Sequence, residues 1–231
     1  MKLHVREWGA GDRAAVLIHG ITSDSNSWWR FGPDLAARGY HVLAPDLRGH
    51  GLSPRGRYGL EAWAEDLLDS IPTSPELALG HSLGGLVLAI AAERLRPARA
   101  VYEDPAWRVR PERHAQAAQE FVAQKGWDRE QMVAANPRWA AGDVDAKLEA
   151  LLCWDPDTAR ALLDGASWDY TPARPVVPSL VQLADPSDLV PPDRAERLVE
   201  AGFEVRVVPG AGHSIHRDDY DGFLAGLDAW L

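Results

Sequence analysis

The stretch LALGHSLGGLVLAIAA, residues 77–92, limits what this chain can become more than any other. It joins an apolar strand pattern to an apolar helix pattern through Gly80-His81-Ser82-Leu83-Gly84-Gly85, where four of the six residues are small. Glycine inside a regular element costs roughly 0.5–1 kcal/mol against alanine. Small residues gathered at one junction therefore predict a turn too tight for side chains. Residues 80–84 also fit G-x-S-x-G, the strand-to-helix turn that exposes a strained serine at the amino end of the following helix.

The same rhythm runs along most of the chain. AAVLIHG (14–20), YHVLAPD (40–46), LALGHS (77–82), ARAVYED (98–104), PSLVQLAD (178–185) and FEVRVVPGAGH (203–213) read as strands. Helical spacing fills residues 27–39, 60–71 and 84–96. Such alternation predicts an α/β fold, a mainly parallel sheet with helices on both faces. Between residues 106 and 172 the rhythm breaks into short helical patterns, with no convincing strand and half of the ten tryptophans. Prolines 172, 175 and 178 then stiffen the return to the sheet. The expected organisation is a core of residues 1–105 and 173–231, with an inserted helical cap of residues 106–172 over the strand ends.

Composition removes several functions. A net charge of −10 repels nucleic acid and anionic membranes, which leaves a small molecule as the expected partner. The single Cys153 excludes an intramolecular disulfide and a cysteine-rich zinc site, and it reads as a small apolar filler. No dinucleotide fingerprint, phosphate loop or metal-ligand spacing occurs, so no cofactor and no metal is expected. The amino-terminal MKLHVREWGAGDR alternates like a strand and lacks the apolar centre of a signal peptide. The chain is therefore expected to be soluble and cytoplasmic, as a monomer or homodimer.

Four motifs then stand in order: His19-Gly20 after the first long strand, DLRGHGLS (46–53), GHSLGG (80–85) and PGAGHS (209–214). Together they resemble the α/β-hydrolase fold family over nearly the whole length. The resemblance implies a serine hydrolase of esterase type, with two backbone N–H groups forming an oxyanion hole. Those would belong to Ile21, after His-Gly, and to Leu83, after the serine.

Within that frame Ser82 is the candidate nucleophile, since a hydroxyl needs only a neighbouring base to become reactive. His213, after the flexible Gly210-Ala211-Gly212, is the candidate general base, with His216 its rival. The acid that orients the imidazole is expected after the penultimate strand, in ADPSDLVPPD (184–193). The usual spacing falls on Ser187, a departure from the family pattern. Asp185 is preferred, with Asp188 and Asp104 (in YEDP, residues 102–105) as alternatives. Trp28, Trp29 and Trp107 are expected to line a pocket for an apolar or aromatic substrate. The expected reaction is cleavage of a carboxylic ester, thioester or lactone through an acyl-enzyme on Ser82. The alternatives are a carbon–carbon bond hydrolase, an iminopeptidase, or a non-catalytic protein that binds a small molecule.

Overall fold

The computed structural model describes residues 1–109, 111–163 and 168–231. Its strands in chain order are β1 (Val5–Trp8), β2 (Arg13–Ile18), β3 (Tyr40–Pro45), β4 (Leu77–His81), β5 (Arg99–Glu103), β6 (Arg108–Val109), β7 (Trp168–Asp169), β8 (Ser179–Leu183) and β9 (Glu204–Val207). Seven form one sheet in the order β1-β3-β2-β4-β5-β8-β9. Only β1 runs antiparallel to its neighbour. Every residue of β4 and β8 is buried, as continuous apolar runs in a sheet covered on both faces require.

The helices are α1 (Phe31–Ala37), α2 (Leu60–Ser70), α3 (Leu83–Leu95), α4 (Pro111–Gln124), α5 (Arg129–Ala135), α6 (Ala141–Cys153), α7 (Asp157–Leu163), α8 (Pro192–Glu200), α9 (Ile215–Asp218) and α10 (Tyr220–Gly226). On one face Phe31 and Leu35 of α1 pack with Phe223 of α10 against Leu17, Leu79 and Val101. On the other, α2, α3 and α8 pack with residues from the inserted helices. Nine of the thirteen residues of α3 are buried, because this helix lies between the sheet and a second layer of helices.

Helices α4 to α7 occupy the stretch between β5 and β8. The sequence reading found no strand there, whereas β6 and β7 pair antiparallel, Arg108 opposite Asp169. Strands of two residues are too short to leave a periodic signature. Cys153, read as buried filler, is exposed at the end of α6. Among the described residues, no helix is long and apolar enough to cross a membrane.

Candidate active site

The turn between β4 and α3 shows why its glycines are needed. A Cβ on Gly80 would lie 2.4 Å from the Gly84 carbonyl oxygen, and one on Gly84 would lie 2.1 Å from that of Ile18. Strand and helix meet backbone to backbone, so neither position admits a side chain. Ser82 is bent to φ 52° and ψ −113°, a region costing a non-glycine residue on the order of 1–3 kcal/mol. Backbone hydrogen bonds hold that bend: Ser82 N–H donates to the Glu103 carbonyl at 3.0 Å, and Ala106 N–H donates to the Ser82 carbonyl at 3.1 Å.

His213 follows β9 on the glycine loop and lines the same two cavities as Ser82. Its Nδ1 lies 2.6 Å from Oδ2 of Asp104, which is buried, while the imidazole is half-exposed. Burial acts against a charge on His213, but the hydrogen bond and charge of Asp104 outweigh it and raise the imidazole above its ordinary value.

The carboxylate that meets His213 is thus Asp104 and not the preferred Asp185. Asp185 faces away from the imidazole: its Oδ2 accepts from the Gly210 N–H at 3.2 Å and its own N–H donates to the Ala211 carbonyl at 2.8 Å. These contacts tie Asp185 to the base of the histidine loop. Asp104 leaves the sheet one strand over, turned by a left-handed φ of 37°. Ser187, at the position where the family spacing would put the acid, donates its hydroxyl to Asp104 Oδ1 at 2.6 Å. Asp188 lines the larger cavity.

Ile21 and Leu83 both border that cavity beside Ser82. Leu83 opens α3, where the first N–H groups have no intrahelical acceptor and the helix dipole favours negative charge. His50 Nε2 reaches the Ile21 carbonyl at 2.6 Å, so the DLRGHGLS segment braces the Ile21 turn. In the same segment Asp46 accepts from the N–H groups of Ser25 and Leu52. His19 is fixed between the Gly20 carbonyl and the Leu47 N–H, and burial together with His50 lowers it to about 3.

His216 is not an alternative base. It lies buried behind His213, its Nδ1 at 2.8 Å from Oε1 of buried Glu103. Burial pushes Glu103 up and His216 down, driving both toward their neutral forms. His81 stands between the two imidazoles, its ring 4.8 Å from His213 and 5.1 Å from His216.

The expected pocket tryptophans are packed elsewhere. Trp28 is fully buried against His216 and Phe31. Trp107 meets Tyr102 edge to face and Phe203 at a tilt, and its N–H donates to the Gly85 carbonyl at 3.1 Å. Trp29 is partly exposed and donates to Asp143 at 2.8 Å. Trp28 and Trp107, both buried among other rings, are core residues, whereas Trp29 lies at the surface.

Two cavities meet at Ser82. One, of about 530 Å³, is mostly apolar and includes Phe121 and Leu162. The other, of about 450 Å³, is bordered by Trp127 and Trp139 and by the cations Arg138, Lys147 and Arg217. The sequence reading missed the three cations. A signal existed in α6, where Val144, Lys147 and Leu151 share one face and all three are buried. A lysine on the apolar stripe of a helix is out of pattern. Among the described residues, no three His, Cys, Asp or Glu side chains cluster as a metal site needs.

A sequence profile of the alpha/beta hydrolase family matches residues 15–225. N-formylmaleamate deformylase of Pseudomonas putida is 29% identical over an alignment covering 100% of this chain and 93% of that protein. Among solved structures, E-2-(acetamidomethylene)succinate hydrolase superposes with a TM-score of 0.80 at 22% identity, covering 98% of this chain and 94% of that one. An esterase from Exiguobacterium antarcticum gives 0.78 at 18% identity, with coverages of 99% and 94%.

Proposed function

The chain belongs to the alpha/beta hydrolase family, and from that premise we propose that it is a serine hydrolase working through an acyl-enzyme on Ser82. The observation that carries this reading is the 2.6 Å contact of His213 Nδ1 with Asp104, beside a serine strained on a glycine-tight turn. Asp104 fixes the imidazole with its proton on Nδ1, leaving Nε2 free to accept the Ser82 proton. Ser82 Oγ adds to the substrate carbonyl, and the developing oxyanion is received by the N–H groups of Ile21 and Leu83. His213 then protonates the leaving group, and the same base activates the water that releases the acid product. A carboxylic ester, thioester or lactone suits this machinery.

A second reading is cleavage of a formamide-like C–N bond. The full-length similarity to a deformylase favours it. The parts are the same, but an amine or amide leaving group depends more on protonation by His213 than an alkoxide does.

Ser82→Ala tests the common core. Turnover of p-nitrophenyl acetate is expected to fall by roughly 10⁴-fold or more, with loss of fluorophosphonate labelling. Retained turnover would take the nucleophile's role from Ser82, and a wild-type protein that neither turns over the ester nor labels would overturn the hydrolase reading in favour of a binding protein. Rates on an N-formyl amide against a p-nitrophenyl ester decide between the two bond types.

A further inference from the structure

The smaller cavity holds two cations that the proposed acyl transfer does not use. Lys147 and Arg217 are both more than nine-tenths buried. Lys147 Nζ donates to the Thr22 carbonyl at 2.9 Å and to the Thr22 hydroxyl. Arg217 donates to Ser23 Oγ at 2.8 Å and lies over the Trp139 ring at 4.7 Å, while its Nε meets no partner among the described residues. Among the described residues, neither has a carboxylate within ion-pair distance; every acceptor they reach is neutral.

The nearby carboxylates are committed elsewhere. Asp218 binds Trp139 Nε1 at 3.1 Å and faces Arg138 at 3.7 Å. Asp143 receives Trp29 Nε1, and Asp24 caps the turn at Ser25–Trp28. Two buried cations are thus left without a directly bonded carboxylate among the described residues, although Asp24, Asp143 and Asp218 act on Arg217 from farther away. Burying a charge without a bonded counter-ion is unfavourable, and burying two like charges together is more so. Proteins sustain such an arrangement where a ligand brings the opposite charge.

We propose that Lys147 and Arg217 form the receptor for a carboxylate carried by the substrate itself, a few bonds from the carbonyl that Ser82 attacks. Both residues line the cavity that Ser82 and His213 border. Lys147 keeps one N–H beyond its two bonds to Thr22, and Arg217 gives Ser23 only one of its terminal N–H groups, so donors remain for the two oxygens of a carboxylate. The substrate class is thus an anionic acyl compound, such as a half-ester or half-amide of a short dicarboxylic acid. This proposal departs from the expectation of an apolar or aromatic substrate.

The rate arm of the test rests on the serine-hydrolase reading, and the binding arm does not. For rates, wild-type kcat/KM is compared between p-nitrophenyl hydrogen succinate and p-nitrophenyl butyrate, and between 4-butyryloxybenzoate and phenyl butyrate. The first pair carries the carboxylate on the acyl side, the second on the leaving-group side. One anionic ester is expected to exceed its neutral counterpart by ~30-fold or more, and Lys147→Met to collapse that ratio. For binding, calorimetry follows succinate titrated into Ser82→Ala, with heat expected there and lost in Ser82→Ala/Lys147→Met. Fluorophosphonate labelling without anion preference or succinate binding would overturn the receptor and leave the hydrolase reading standing. Succinate binding without labelling would do the reverse. The wild-type ratio and the Ser82→Ala titration decide the matter even if Lys147→Met does not fold.

Discussion

Asp104 with His213 and Glu103 with His216 are two imidazole–carboxylate pairs built from neighbouring residues. The carboxylates are adjacent in sequence and buried, and the imidazoles lie three residues apart and both bond through Nδ1, yet only one imidazole is exposed. His213 is half-exposed to a cavity, and its carboxylate raises its affinity for a proton. His216 is 3% exposed and its carboxylate is wholly buried, so solvent cannot support a charge on either member. Chemistry needs the first arrangement, where a proton can come and go. The second anchors the loop, because Glu103 Oε1 also accepts the His216 backbone N–H at 2.9 Å. Identical functional groups acquire different tasks from access to water alone.

Exchanging the carboxylates for amides breaks this comparison most directly. Asp104→Asn is expected to lower kcat on a p-nitrophenyl ester by about 10⁴-fold, since an amide can hold the imidazole in the wrong tautomer. Asp185→Asn, measured in the same assay, should stay within about threefold, because it leaves the imidazole untouched and is exposed. Comparable losses in both would return the acid role to Asp185. Glu103→Gln is expected to act on folding instead, costing about 1–3 kcal/mol in urea denaturation, with kcat/KM within about tenfold of wild type.

Acidity sharpens the contrast. Ser82 needs a neutral His213, so kcat/KM on a neutral ester should rise with pH and level off only above His213's raised value, beyond 6.5. In Asp104→Asn the midpoint should move to lower pH, since the group that raises it is gone. Stability runs on other histidines. His19, His50, His81 and His216 are held neutral by burial, whereas each takes up a proton near pH 6.5 once unfolded. The unfolded state then binds more protons, and stability falls as pH drops below 6.5, by up to about 1.4 kcal/mol per pH unit for each histidine. Glu103, raised by burial, opposes one such contribution above pH 4.5, and His213 opposes above 6.5. Urea midpoints between pH 5 and 7 should show the net loss, and a flat profile would contradict the burial of these rings.

What could be read from the sequence was what is local. The Gly80 and Gly84 spacing reports a backbone crossing within five residues, so the turn and Ser82 were legible, as was His213 behind its glycine loop. The acid was not, because Asp104 and Asp185 leave adjacent parallel strands at the same edge of the sheet. Which one meets the imidazole depends on how two loops fold over that edge, seen in the Asp185 N–H bonding Ala211 and the Ser187 hydroxyl bonding Asp104. The tryptophans misled for a related reason. An indole is equally suited to a pocket and a core, and the partners that settle Trp28 and Trp107 lie far along the chain. Lys147 was hidden because its burial comes from docking α6 beside the Thr22 turn.

The short helix α9 and the residues before it have one more consequence. His213, His216 and Arg217 fall within five residues, and the middle one is clamped to the floor of the sheet by Glu103. On the proposed reading, substrate selection and proton transfer therefore share one short piece of backbone. A lineage that shifts this piece to welcome a different acid also shifts its base, so new preferences are cheaper to evolve on the helices across the cavity than here.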